Sequence, residues 1–342
     1  MSGAEADAAR ARLVTVRGVD DPRALARAFG RCALVIEAVV EDPAVKGASF
    51  AQLEAVVCDD CVLATNTSSL SVASIAGGCR VPARVLGVHF FNPAPVMPLV
   101  EIVPALVTDA AVVAAVRPVV EAWGKTTVLA ADTPGFIVNR VARPYYGESL
   151  RLLDEGLADV ATIDWAMREL GGFRMGPFEL MDFIGLDVNF AVTRSVYEQT
   201  FHDPRYRPSL TQQRLVEAGR LGRKTGHGFY DHRDGAARPE PVRDEARGRR
   251  LLQRVLSMLV NEAFDAVHWG VATVSDVELA MTKGVNYPRG LFAWGEQLGL
   301  DHVLAELDAL RECYQEDRYR ASPLLRRAAR EGMGGVVAGP GA

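Results

Sequence analysis

The chain has 342 residues, 49% of them apolar and 24% charged, with a formal net charge of −5. That length accommodates two or three domains and a sizeable core. The acidic balance, without any basic block interleaved with aromatics, argues against a nucleic-acid partner. No apolar run approaches membrane-spanning length and the first residues carry no signal-peptide pattern. The five cysteines are odd in number and scattered, as expected of free thiols in a reducing cytoplasm.

Leu13-Val-Thr-Val-Arg17 reads as a candidate strand, followed by a short helix near 22–29. Ala33–Val40 is an apolar strand, and Pro43 opens a helix over about 43–57. Cys61–Asn66 is a further strand, and Ser71–Gly78 is a short helix with a glycine stop. Val85–Phe90 and Leu99–Val103 read as strands, then come a helix at 109–123 and a strand at Thr126–Ala130. Continuous apolar strands separated by helices indicate an α/β domain of parallel character. Beyond Asp132-Thr-Pro-Gly135 the pattern becomes amphipathic helix, beginning with one over Ile137–Glu155.

The helical part repeats itself. Arg140 and Arg254, Glu148 and Glu262, Gly156 and Gly270, Met167 and Met281, and Gly176 and Gly290 all stand 114 residues apart. So do Gly185-Leu-Asp187 and Gly299-Leu-Asp301. A constant, ungapped offset of this kind reads as a duplicated helical unit. The predicted organisation is an α/β domain at 1–131, a first helical copy at 132–232, a Pro/Gly-rich linker at 233–248, a second copy at 249–333 and a tail at 334–342.

The segment His89-Phe-Phe-Asn-Pro-Ala-Pro-Val-Met-Pro-Leu-Val-Glu101 carries the most chemistry. Pro93, Pro95 and Pro98 cannot donate ladder hydrogen bonds, so a stiff loop joins the two strands and can bring imidazole and carboxylate together. Such an acid fixes the ring tautomer and raises its basicity, as a general base requires. A core histidine paired with a buried acid for structure alone is the alternative. Asn66-Thr-Ser-Ser-Leu follows a strand, where α/β sheets bind ligands, so Ser68 or Ser69 is placed to touch one; helix capping is the competing role. Asn139, a poor helix former, sits early in a helix, for a hydrogen bond either to ligand or between domains. Gly222-Arg-Lys-Thr-Gly-His-Gly-Phe-Tyr230 lacks P-loop spacing but places Lys224 in a glycine-rich loop suited to phosphate or ribose. Cys58-Asp-Asp-Cys61 has no second ligand pair and reads as a chance pairing, and the remaining histidines lack metal spacing.

These stretches resemble the 3-hydroxyacyl-CoA dehydrogenases, in particular the 3-hydroxybutyryl-CoA or 3-hydroxyadipyl-CoA type with a duplicated C-terminal domain. The matching motifs are NTSSL at 66–70, HFFNPAPVMPLVE at 89–101, DTPGFIVNR at 132–140, MGPFELMD at 175–182 and GRKTGHGFY at 222–230, within a likeness that runs from about residue 10 to the end. The resemblance implies a Rossmann-like α/β domain, N-terminally truncated, followed by two all-α domains of the family's C-terminal type. It implies NAD as cofactor and an acyl-CoA substrate in the cleft between domains, with a role in fatty acid or phenylacetate catabolism in the cytoplasm. By the family's pattern His89 takes the C3 hydroxyl proton as hydride leaves, Glu101 orients His89, and Ser68 and Asn139 hydrogen-bond the substrate. Glu41, Lys46, Ser68, Asn92 and Lys224 match dinucleotide contacts. A homodimer is expected, with the second helical copy acting as an internal pseudo-dimer partner.

One part of the pattern is missing. No strand followed by GxGxxG occurs in the chain, so the backbone amides that normally neutralise a pyrophosphate are not supplied, and NAD binding is expected to be weak. Three readings follow: a working dehydrogenase's chain without its first segment, an NAD-deficient homologue that binds an acyl-CoA or a partner, and a structural helical module. The intact His89, Glu101, Ser68 and Asn139 favour the first.

Overall fold

The computed structural model describes residues 7–8, 10–13, 15 and 21–334. The predicted strand at Leu13–Arg17 and the predicted tail lie outside the described residues, apart from Leu13, Thr15 and Gly334. The chain divides into two compact units, residues 1–88 with 104–116, and residues 89–103 with 117–342.

The first unit holds α1 (Pro22–Phe29), β1 (Leu34–Glu37), α2 (Pro43–Glu54), β2 (Val62–Thr65) and α3 (Val72–Gly77). Strand β3 (Val85–Phe90) supplies its third strand through residue 88. β1 pairs β2 in parallel from Leu34↔Val62 to Glu37↔Thr65, and β2 pairs β3 in parallel from Leu63↔Val85 to Thr65↔Gly87. All four residues of β2 are buried, in keeping with its apolar run Val62-Leu63-Ala64, and the Thr65 that ends it turns its hydroxyl to Glu37. Each helix begins on a side-chain cap: Asp21 accepts from Arg23 N, Asp42 from Ala44 N and Val45 N, and Ser71 from Ser74 N. β1 stops short of the predicted Ala33–Val40 because the Glu37 carboxylate turns inward. It accepts the Val39 N–H at 2.6 Å, the Lys46 ammonium at 2.7 Å and the Thr65 hydroxyl at 2.8 Å.

The second unit contains β4 (Leu99–Pro104) and β5 (Thr126–Leu129), paired in parallel from Leu99↔Thr126 to Ile102↔Leu129. Helix α4 (Ala110–Ala122) leads into β5. The long helix predicted over Ile137–Glu155 is two helices, α5 (Val138–Val141) and α6 (Arg143–Asp154), meeting at Ala142. Pro144 lacks the N–H that a continuous helix would donate to Arg140, so the axis breaks there. α7 (Val160–Trp165), α8 (Pro177–Ile184), α9 (Leu186–Gln199) and α10 (Leu210–Glu217) follow. α11 (Glu245–His268), capped by Asp244, begins inside the predicted linker. Then come α12 (Val274–Leu279), α13 (Leu291–Leu298), α14 (Leu300–Tyr314) and α15 (Pro323–Glu331). No helix among the described residues is long and apolar enough to cross a membrane.

Helices α7, α8 and α9 start 114 residues before α12, α13 and α14 respectively. The turn between α8 and α9 needs a residue at positive φ, met by Gly185 at 102° and again by Gly299 at 85°. Asp164 accepts the N–H groups of Phe178 and Glu179 at the start of α8, and Glu278 accepts those of Phe292 and Ala293 at the start of α13.

Two fully buried carboxylates tie these elements together in reciprocal fashion. Glu262 pairs with Arg140 at 2.8 Å, Arg205 at 3.2 Å and the Tyr206 hydroxyl at 2.6 Å. Glu148 pairs with Arg254 at 2.7 Å, Arg318 at 2.9 Å and the Tyr319 hydroxyl at 2.9 Å. The same residue types meet twice with the roles of the two segments exchanged, the relation expected of an isologous two-fold contact.

Removing one side of such a pair leaves uncompensated buried cations. Glu148→Ala is expected to lower the unfolding free energy by about 3–5 kcal/mol in urea denaturation, and a loss under about 1 kcal/mol would make the cluster peripheral. A second expectation concerns Asp164, whose burial pushes its pKa from 3.8 up to about 7 against the hydrogen bonds from Phe178, Tyr230 and Glu179. The folded chain then holds a proton that the unfolded chain has released, so this group's stabilisation is full below about pH 4 and lost as pH rises through about 7. In Asp164→Asn, melting curves across that window are expected to lose this component of the slope.

Candidate active site

At the carboxyl ends of β1 and β2, Lys46 is 1% exposed and its ammonium lies between two carboxylates, 2.7 Å from Glu37 and 3.2 Å from Glu41. The other oxygen of Glu41 accepts the Thr67 and Ser69 hydroxyls and the N–H groups of Ser68 and Ser69. Burial alone would raise the Glu41 pKa; the Thr67 hydroxyl, Lys46 and Ser69 outweigh it and hold the acid below its ordinary value. Glu41, Lys46 and Ser68 are therefore brought together, with Ser68 contributing its backbone amide and keeping its hydroxyl free of other described residues. An anchored carboxylate beside serine hydroxyls at strand ends is a donor and acceptor set that fits a ribose diol, and so fits the sugar of a nicotinamide nucleotide.

His89 and Glu101 meet in the second unit. The imidazole Nδ1 lies 2.6 Å from Glu101 Oε2, with His89 5% and Glu101 0% exposed. Glu101 Oε1 accepts the backbone N–H groups of Ile137 at 3.0 Å and Val138 at 2.9 Å. A carboxylate only accepts, so Nδ1 carries the hydrogen and Nε2 presents its lone pair. Phe91 and Phe136 pack edge-on against the ring, with centroids at 4.7 and 5.6 Å. Phe136 has φ +48° directly after Gly135 at +78°. Two successive left-handed residues aim the following amides at Glu101, and the strain of the non-glycine one is held by this buried contact.

Asn139 follows Val138 in α5. Its carbonyl accepts from Arg143 Nε at 2.6 Å, and its side-chain amide hydrogen-bonds no other described residue. Asn92 is exposed in the loop after β3, at a cis peptide to Pro93, where Lys125 Nζ donates to the carbonyls of Ala94 and Met97. Lys224 stands elsewhere in the unit, exposed and paired with both oxygens of Asp187 at 2.6 and 2.7 Å. The loop carrying it is clamped by Asp182, which accepts from Phe229 N, Tyr230 N and His232 Nε2. Gly228 lies so close to Asp182 that an added Cβ would meet its carboxylate at 2.0 Å, so glycine is required there. Asp164 is a positioning residue that sequence reasoning missed, while Asp182 and Phe136 entered it only inside the 175–182 and 132–140 motifs, without a role; both acids lie within helices, α7 and α8, where no capping signal marks them. Burial pushes the Cys61 and Cys79 thiols upward, Cys79 to about 11, away from the activated range.

The family model described as 3-hydroxyacyl-CoA dehydrogenase, NAD binding domain, matches residues 3–133. That described as 3-hydroxyacyl-CoA dehydrogenase, C-terminal domain, matches residues 135–232 and 251–342. A 3-hydroxyadipyl-CoA dehydrogenase of Escherichia coli is 41% identical, covering 91% of this chain and 82% of the relative. A mitochondrial hydroxyacyl-coenzyme A dehydrogenase of Homo sapiens is 40% identical over 58% of this chain and 64% of its own. Among solved structures, 3-hydroxybutyryl-CoA dehydrogenase from Escherichia coli superposes with a TM-score of 0.83 at 38% identity, covering 90% of this chain and 83% of that one. With both domain types matched along nearly its whole length, and the histidine–glutamate pair seated where the motif places it, the chain belongs to the 3-hydroxyacyl-CoA dehydrogenase family.

Proposed function

We propose that the chain catalyses the reversible NAD-dependent oxidation of a (3S)-3-hydroxyacyl-CoA to the 3-oxoacyl-CoA, with 3-hydroxybutyryl-CoA or 3-hydroxyadipyl-CoA as substrate. The observation that carries this reading is the buried His89–Glu101 bond, with its acid held on the far side by two backbone amides. His89 Nε2 takes the proton of the C3 hydroxyl, and Glu101 steadies the imidazolium that forms. NAD+, when bound, supplies the hydride acceptor. The Ser68 hydroxyl and the Asn139 amide hydrogen-bond the substrate oxygens. Glu41, fixed from within by the buried Lys46, holds the nicotinamide ribose, with Asn92 and Lys224 as further contacts; for Lys224 this requires release from Asp187.

We also read residues 132–232 and 249–333 as duplicated copies of one helical domain, the second serving as an internal pseudo-dimer partner. The recurrence of α7–α9 as α12–α14 and the exchanged Glu148 and Glu262 clusters support this. A cytoplasmic role in fatty acid or phenylacetate catabolism fits the substrate class.

With 3-hydroxybutyryl-CoA and saturating NAD+, NADH formation followed by absorbance is expected in the native chain. His89→Ala is expected to lower kcat by about 10²–10⁴-fold with substrate binding retained by calorimetry. Unchanged turnover in this variant would remove His89 from the chemistry, and an inert native chain would overturn the assignment. In Glu101→Gln, kcat is expected to fall, because the imidazolium formed on His89 loses its counter-charge.

A further inference from the structure

Five arginines of the second unit are buried: Arg140, Arg143, Arg205, Arg254 and Arg318. Four of them pair with carboxylates, Arg140 and Arg205 with Glu262, and Arg254 and Arg318 with Glu148. Arg143, 6% exposed, has no acidic partner among the described residues. Its Nε donates to the Asn139 carbonyl at 2.6 Å, its Nη1 to the Thr193 hydroxyl at 3.0 Å, and its guanidinium lies 4.9 Å from the centroid of the Tyr146 ring. Nη2 donates to no described residue. Tyr287 lies within electrostatic reach of Arg143, and its buried hydroxyl is likewise without a partner.

A guanidinium cannot shed its charge as a buried lysine does. Left without an anion in a buried setting it costs stability, and neutral oxygens and one aromatic face offset only part of that cost. Burial works to lower the Arg143 pKa, and Tyr146 and Tyr287 oppose it only partly. The other buried guanidiniums show how this chain ordinarily solves the problem. Arg143 is the exception, and its Nε bonds the Asn139 carbonyl across the α5–α6 junction.

We propose that Arg143 is the specificity residue for a carboxylate at the far end of the acyl chain, making this enzyme one for dicarboxylic 3-hydroxyacyl-CoA esters of the 3-hydroxyadipyl type. The proposal rests on the dehydrogenase reading above and on Asn139 touching the reacting end of the substrate. Arg143 Nε lies 2.6 Å from the Asn139 carbonyl across the α5–α6 junction, which sets the guanidinium within the few carbon–carbon bonds that separate the reacting carbon from an adipyl carboxylate. The arriving carboxylate accepts from the guanidinium in a charge-assisted contact, with the Tyr287 hydroxyl as a second donor. An uncharged chain of the same length leaves the cation unpartnered.

The test compares 3-hydroxyadipyl-CoA with 3-hydroxyhexanoyl-CoA, which differ only in the terminal group. In the native chain kcat/KM for the dicarboxylic ester is expected to exceed that for the hexanoyl ester at least about tenfold. Arg143→Met is expected to abolish that ratio through KM, and Arg143→Lys to restore part of it. Reading the ratio separates this role from a positioning one, because loss of the Asn139 contact lowers both substrates together. Equal kcat/KM values in the native chain, or a ratio unchanged in Arg143→Met, overturn the proposal while leaving the dehydrogenase assignment standing. No turnover of either ester fails the assignment itself. If Arg143→Met does not fold, calorimetry on the native chain with adipyl-CoA and hexanoyl-CoA decides. Tighter adipyl-CoA binding, by about tenfold, supports the proposal, and equal affinities overturn it.

Discussion

The site depends on a single carboxylate with no access to water. Glu101 is fully buried in β4, and both of its oxygens are satisfied, one by His89 Nδ1 and the other by two backbone amides at the start of α5. A buried carboxylate with fewer donors would be costly, so strand, imidazole and helix start are mutually obligatory. The amides reach it only because Gly135 and Phe136 adopt left-handed backbone. Moving any one of these pieces leaves a buried charge, and that is what keeps the imidazole oriented without a ligand present.

The helical part solves the same problem on a larger scale. Glu148 and Glu262 are also fully buried, and each is met by two arginines and a tyrosine. Because Arg140 reaches Glu262 while Arg254 reaches Glu148, neither half satisfies its own acid. Each depends on the other, as two subunits of a symmetric dimer would. The proposed duplication therefore explains why a chain would keep a second helical copy that has no histidine–glutamate pair before it. The two segments differ in detail, with Asp164 at the start of α8 and the longer Glu278 at the start of α13, so the match is one of role rather than of identical atoms.

Much of this was legible in the sequence because it rests on local rules. Val85–Phe90 was bounded correctly, since continuous apolar runs flanked by breakers read as buried strands. Pro43 marked one helix start through its fixed φ, and the run from Ser71 marked the next. The 114-residue offset was visible because glycine and charge positions do not drift where φ or pairing is fixed. Long-range satisfaction was not legible. β1 ended early because Glu37 turned to Lys46 and Thr65, and nothing local announces that. The break at Ala142 was readable from Pro144 but lost beneath a strong amphipathic pattern. Nothing local tells which amides Asp164 and Asp182 hold, because those partners lie 14 to 48 residues away in sequence.

Buried charge connects these observations to substrate choice. Where this chain otherwise buries an arginine in the helical part it supplies a glutamate, and where it buries a lysine, at Lys46, it supplies two. That consistency gives meaning to a departure from it. A guanidinium held by a carbonyl, a hydroxyl and an aromatic face is oriented without being neutralised, and orientation without neutralisation is what an anion-binding group needs before its ligand arrives. Full pairing inside the protein, as at Arg254, gives stability but leaves nothing to offer a ligand. The partly satisfied state costs stability in the free protein, and that cost is recovered when an anion binds, so it enters the difference in affinity between charged and uncharged acyl chains.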